Sequence, residues 1–211
     1  YGINSILLPK PMKNPTVSVC SEDHSPIRIL YTGKLIADRD KTLAEIADAI
    51  RDINKDGKKV VLDIYTDTVL SPKMKARLNH PGDCNLMGFV PQKEIIKKQS
   101  EADILLFVET LSYKKLLARL SFSTKITDYF SAGKCIWAVG NKELAPIGYL
   151  SDEDAAVISY SKISIREQLN RIVKNPDVII EYAKKAYECG QTHHNSEMIT
   201  TRFKNVIEGN A

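Results

Sequence analysis

The stretch SFSTKITDYFSAGKC, residues 121–135, concentrates polar groups at spacings that could do chemistry. At 100° per residue, Thr124, Thr127, Asp128 and Ser131 fall on one side, and Ile126, Tyr129 and Phe130 on the other. The pattern predicts an amphipathic helix over about 123–132, opened by Ser123 as N-cap and ended by Gly133. A helix N-terminus presents free N–H groups and the positive end of the dipole, which suits an anion. Lys125 in the first turn opposes that dipole, so it gains a purpose if an anion sits in front of it. Asp128 lies one turn deeper on the Thr124 side. A carboxylate there can accept two hydrogen bonds from a vicinal diol such as ribose. The stretch therefore fits phosphate at its tip and sugar hydroxyls one turn in. A plain capped helix with a solvated Asp accounts for both ends but leaves Lys125 unexplained.

Two other loops could serve the same ligand. TGKLIADRDK, residues 32–41, puts Gly33 beside the cations Lys34, Arg39 and Lys41. The glycine allows close backbone approach. GFVPQKE, residues 88–94, offers Gly88, Phe89 and Val90, whose backbone groups and ring could meet a planar base. Taken alone, the first also reads as a loop with ordinary surface cations, and the second as a helix start at Pro91. No Gly-x-Gly-x-x-Gly or Walker loop is present, so the nicotinamide, flavin and P-loop fingerprints are absent.

These loops must be held by elements. RILYTG (28–33), KVVLDIYT (59–66), NLMGFV (85–90), ADILLFVE (102–109), CIWAVG (135–140) and AAVIS (155–159) are compact apolar runs. Helical spacing separates them, at 40–54, 71–78, 91–99, 123–132 and 143–150. Strands that are apolar throughout and alternate with helices indicate a parallel sheet covered on both faces. The expected fold is α/β: a Rossmann-like doubly wound parallel sheet of about six strands with a helical C-terminal tail. Ligands bind such sheets beyond the carboxyl ends of the strands, where all three candidate loops lie.

Composition sets outer bounds. The 211 residues are 43% hydrophobic and 27% charged, enough for a core without disulfides or metal. The net charge of +4 is small, and its cations are interspersed with acids. That is a solvated surface with room for a local anion site rather than a nucleic-acid stripe. Cys20, Cys84, Cys135 and Cys189 show no metal-ligand spacing; Cys84 and Cys135 flank or open apolar stretches and are expected to be buried free thiols, in a reducing, cytoplasmic setting. No run approaches the roughly 20 apolar residues that span a bilayer. The chain starts at Tyr1 and has four prolines in its first 26 residues, so it reads as cut from something longer. Residues 1–26 are expected to be an interdomain linker and lead-in, with a short strand at 5–8. Residues 27–192 are expected to form the ligand-binding domain and 193–211 a last helix.

The order of YTGKL…RDKTLAEIADAI, NLMGFVPQKEI, ADILLFVE and STKITDYFSAGKCIWAVG resembles the C-terminal, donor-binding half of GT-B glycosyltransferases. The likeness is to the large retaining group that builds capsules, lipopolysaccharides and glycolipids, and it covers about residues 28–160. Its strongest segment is similar to that family's Lys-hydrophobic-x-Glu-Tyr-x-x-x-Gly-Lys-Pro signature. The resemblance implies a nucleotide diphosphate sugar as substrate, no cofactor and no metal. It implies an acceptor site on an N-terminal domain, packing of the last helix (193–211) on that domain, and action in the cytoplasm or at the inner face of a membrane. It matches Gly33, Lys34 and Arg39 or Lys41 to the diphosphate-binding residues, Gly88, Phe89 and Val90 to the nucleobase segment, Ser123 and Thr124 to phosphate-binding backbone donors, and Asp128 to the ribose-binding Glu. Leu120 stands where the family's sugar-contacting Glu belongs, leaving Glu109 as the candidate for that role. Two other readings stay open: a non-catalytic sugar-nucleotide or protein-binding module, and a sugar-nucleotide epimerase or hydrolase. The last needs an acid/base in the cleft, and His24, His80, His193 and His194 fall in loops, the linker or the tail.

Overall fold

The computed structural model describes residues 9–13, 25–113 and 123–208. Six strands form one parallel sheet: β1 (Ile27–Thr32), β2 (Val60–Tyr65), β3 (Cys84–Gly88), β4 (Ile104–Val108), β5 (Cys135–Val139) and β6 (Val157–Ser159), in the order β3-β2-β1-β4-β5-β6. The helices are α1 (Arg39–Ile53), α2 (Pro72–Leu78), α3 (Gln92–Glu101), α4 (Lys125–Ala132), α5 (Ala145–Asp152), α6 (Lys162–Lys174), α7 (Asp177–His193) and α8 (Ser196–Ile207). The expected α/β sheet is therefore present. Its strand order reverses between β1 and β4, which opens a crevice at their carboxyl ends.

The period-2 geometry of strands divides the core in two. Ile29, Tyr31, Leu106 and Trp137 face one side, with α1, α2 and α6 packed there. Leu30, Leu105, Phe107 and Ile136 face the other, against Ile126, Tyr129 and Phe130 of α4 and Ile147 of α5. The apolar side of α4 thus meets the sheet as its spacing predicts, and Gly133 ends it in a left-handed conformation at φ 60°. Cys84, Cys135 and Cys189 are buried free thiols. The short strand expected at residues 5–8 lies outside the described residues.

Residues 9–13 are docked rather than loose. Met12 is buried, and its N–H donates to the His194 carbonyl at 2.8 Å. His194 Nδ1 lies 3.0 Å from the Lys10 carbonyl and Nε2 lies 2.9 Å from the Tyr149 hydroxyl. A carbonyl only accepts, so Nδ1 carries the proton and Nε2 accepts from Tyr149. Burial pushes the His194 pKa down, which keeps this neutral tautomer. Helix α7 runs to His193, directly before these contacts.

Helix α8 buries Ile199 but leaves Met198, Phe203, Val206 and Ile207 exposed. Few apolar contacts imply a low opening free energy. Amide hydrogen exchange should therefore run faster in α8 than in α4, read peptide by peptide by mass spectrometry. Equally slow exchange in both helices would contradict this.

Candidate functional site

The site begins at the last residues of β1. Gly33 follows with φ 139°, a left-handed conformation, and its N–H donates to the Tyr65 carbonyl at 3.0 Å. A Cβ at Gly33 would overlap the Lys125 ammonium. Glycine is therefore needed for its backbone and for space. Lys125 is the first residue of α4. Its side chain reaches back, donates to the Thr32 carbonyl, and sits 5.4 Å from the centre of the Tyr31 ring. Tyr31 in turn donates to the Lys34 carbonyl at 3.1 Å. Burial, then the nearby Arg39 guanidinium, lowers the Lys125 pKa to about 8, against the pull of Glu109 and Asp128. The lysine that opposes its own helix dipole is thus tied to the sheet edge, a structural reason that spacing along α4 could not reveal.

A cavity of about 280 Å³ opens beside this ammonium. Thr32, Gly33, Lys34, Tyr65, Thr66, Asp67, Gly88, Phe89, Val90, Gln92, Ile95 and Lys125 line it. The structure therefore gathers Gly33, Lys34, Gly88, Phe89, Val90 and Lys125 from three separate loops. Lys34 is exposed and Phe89 is 73% exposed, so both are available to a ligand. A larger depression of about 560 Å³, lined by Asp48, Arg51, Asp52 and Arg166 among others, lies at the amino-terminal edge of the sheet. Its acids and bases are largely paired with one another or with neighbours, as in Asp52 with Arg166 and Lys55.

Other candidates are engaged elsewhere. Arg39 grips Glu109 in a two-pronged pair, Nε to Oε2 at 2.9 Å and Nη2 to Oε1 at 2.7 Å. Gly140 makes room for it, since a Cβ there would meet the Glu109 Cβ at 2.9 Å. Lys41 is exposed and pairs with Asp38 at 2.8 Å, outside the cavity. Ser123 is not the N-cap. Thr124 holds that position in a helical conformation (φ −64°, ψ −13°), and its side chain makes no cap. A side-chain cap needs an extended residue there. Ser123 Oγ instead accepts from the Lys125 N–H at 3.4 Å. Asp128 is partly exposed and lies in a neighbouring groove of about 250 Å³ with Lys13, Gln99 and Ser131. Gln92 and Ile95 line both spaces and join them.

Reading the sequence missed Tyr31, Tyr65, Thr66 and Gln92. Each directly precedes or follows an element end that was located, so position beside Gly33, Gly88 and Pro91 was the available signal. His193 pairs with Glu153 at 2.9 Å, and His80 borders β3 at its start; neither reaches the cavity. Among the described residues, no group of three or more His, Cys, Asp or Glu is placed to hold a metal. No helix there is long and apolar enough to cross a membrane.

The fold is that of the C-terminal half of a GT-B glycosyltransferase. The C-terminal domain of a glycosyl transferase group 1 family protein (LpcC) from Francisella tularensis aligns over 87% of this chain and 99% of its own, with a TM-score of 0.59 and 13% identity. Anabaena HepE in complex with UDP-glucose aligns over 88% of this chain and 49% of its own, with a TM-score of 0.63 and 11% identity. OtsA gives 0.57 and 12%, over 87% of this chain. The chain spans 44% of the length of OtsA. Neither a family model nor a curated protein matches the sequence.

The lowered pKa of Lys125 makes stability depend on pH. At pH 8 to 10.5 the unfolded chain holds more protons at this position than the folded one, so stability should rise with pH across that window. The slope from this group is at most about 1.4 kcal/mol per pH unit. Urea unfolding of the wild type and Lys125→Met should show the wild type gaining on the variant between pH 8 and 10. A constant difference between them would mean that Lys125 titrates as an ordinary lysine.

Proposed function

We propose that this chain is the donor-binding domain of a glycosyltransferase that moves a hexose from a nucleotide diphosphate sugar to a glycan or lipid-linked acceptor. One observation carries the reading. At the switch point, a glycine leaves the Lys125 ammonium open to a cavity that also holds Lys34 and an exposed aromatic ring. The diphosphate would lie against Gly33, Lys34, Lys125 and the N–H groups of residues 123–125. The base would lie along Gly88, Phe89 and Val90, and the ribose toward Asp128. The presence of UDP-glucose in HepE, a protein of the same fold, supports this class of ligand. Stabilising the leaving diphosphate is then the domain's part in the reaction, by preorganised positive charge in a partly dry site. Retention of configuration and independence of metal follow from the resemblance. So does action in the cytoplasm or at the inner membrane face, in polysaccharide synthesis. The acceptor would bind to a domain outside this chain.

The locked Arg39–Glu109 pair favours a second reading, a binding module without turnover, because it leaves the candidate sugar-contacting carboxylate occupied. Turnover by the full-length protein with a sugar-nucleotide donor separates the two. An epimerase or hydrolase needs a carboxylate or histidine as acid/base in the cleft; among the described residues no histidine lines the cavity, and Asp67 is the carboxylate that does.

Thermal unfolding with UDP, GDP or ADP tests the shared core of both readings. A ligand that binds only the folded state stabilises it by mass action, by about 2.7 kcal/mol at 100 times its Kd. At least one diphosphate should raise the Tm well beyond its own nucleoside at equal concentration, and Lys125→Met should shrink the difference. Equal shifts by diphosphate and nucleoside, or none at millimolar ligand, would contradict a diphosphate site.

A further inference from the structure

Lys10 comes from a segment 118 residues away in sequence, yet its ammonium lies 3.2 Å from Asp128 Oδ1 and donates at 3.2 Å to the Thr124 carbonyl. The backbone that delivers it is fixed on three sides. The Met12 N–H bonds to the His194 carbonyl at 2.8 Å, and the Lys10 carbonyl meets His194 Nδ1 at 3.0 Å. The Lys13 N–H donates to Ser131 Oγ at 3.0 Å, and Ser131 in turn donates to the Thr127 carbonyl at 2.7 Å. Met12 itself is buried and packs so close to α7 that a Cβ at Gly190 would meet its sulfur at 3.0 Å. The strap aims a cation at one oxygen of the carboxylate and at the N-cap carbonyl of the same helix.

We infer that Lys10 is a positioning residue for the nucleotide site: it holds Oδ1 of Asp128 and so turns the remaining carboxylate lone pairs toward the ribose diol. The inference rests on the proposed function, and within it on Asp128 as the ribose ligand. A carboxylate has about four acceptor positions, so one ammonium on Oδ1 leaves capacity for two hydroxyls. Without Lys10, the Asp128 carboxylate loses this hold, and the fixed geometry that a diol requires is lost with it. The strap that joins α4 to the end of α7 thereby becomes part of the donor site, although nothing in its sequence marks it as such.

The test is calorimetric, on the full chain. The probe is whichever of UDP, GDP or ADP gives the largest thermal shift, together with its 2′,3′-dideoxy form. In the wild type the ribose form should bind more tightly. Lys10→Met should lower ribose-form affinity by about two- to fivefold, the range of a partly exposed ion pair, and leave dideoxy affinity unchanged. Lys10→Arg should restore the preference. In an Asp128→Asn background, Lys10→Met should have no further effect, because the two residues act as one unit. An equal loss for both nucleotide forms would overturn the inference, since it marks a structural role. Tighter ribose binding in Lys10→Met would also overturn it, since it marks Lys10 as a competitor for Asp128. A wild type that binds diphosphate but does not prefer ribose removes Asp128 as the ligand, and the inference with it, while leaving the diphosphate site intact. A wild type that binds none of the three overturns the proposed function itself.

Discussion

One contact organises the carboxyl edge of this sheet: the Lys125 ammonium on the terminal carbonyl of β1. It joins the first turn of α4 to the strand on which the whole doubly wound topology pivots. Two features accompany it. Residue 33 is glycine, whose φ of 139° would strain any side chain and whose missing Cβ leaves the ammonium its place. Tyr31 is buried beside it, presenting its ring face to the cation and its hydroxyl to the Lys34 carbonyl. Further along the β1–α1 loop, Ala37 and Asp38 are both left-handed before α1 begins. Left-handed non-glycine residues are uncommon and costly.

Charge at the crevice is partly balanced from within. Arg39 is neutralised by Glu109, Lys41 by Asp38 and Asp128 by Lys10. Among the described residues, the direct partners of Lys125 are a carbonyl and a ring, and burial, then the nearby Arg39 guanidinium, lowers its pKa. An anion entering the cavity would therefore interact most strongly with this buried cation, which water screens least. Lys34, exposed at the rim, adds a screened and weaker attraction. This ordering differs from the one the family resemblance implies, in which the cations after the first strand dominate.

How far the sequence was legible depends on the range of the interaction. Apolar runs and helical spacing located all six strands and the helices between them, because each is set within one segment. The α4 faces and the Gly33 and Gly133 turns were legible for the same reason. Lys125 was noticed through a local conflict, a cation at the positive end of a dipole, but its partner lies on another strand and its direction could not be read. Arg39 and Glu109, 70 residues apart, were both singled out as ligand contacts with no hint that they would pair with each other. Lys10 left no local trace at all, since its role depends on how the docked N-terminal segment meets α4 and α7. Ser123 looked like a cap by residue type, but capping depends on a backbone conformation that Thr124 does not adopt.

The account turns on whether Lys125 is a buried, incompletely compensated cation that an anion can reach. NMR titration of the Lys125 side chain, assigned by Lys125→Met, measures this directly in the free protein and with saturating UDP. The account predicts a midpoint near the value of about 8 set by burial in the free protein. It predicts a clear upward move with diphosphate bound, because a nearby anion favours the charged amine. A free-protein midpoint near the ordinary lysine value of about 10.4, or one that bound diphosphate leaves unmoved, would contradict it.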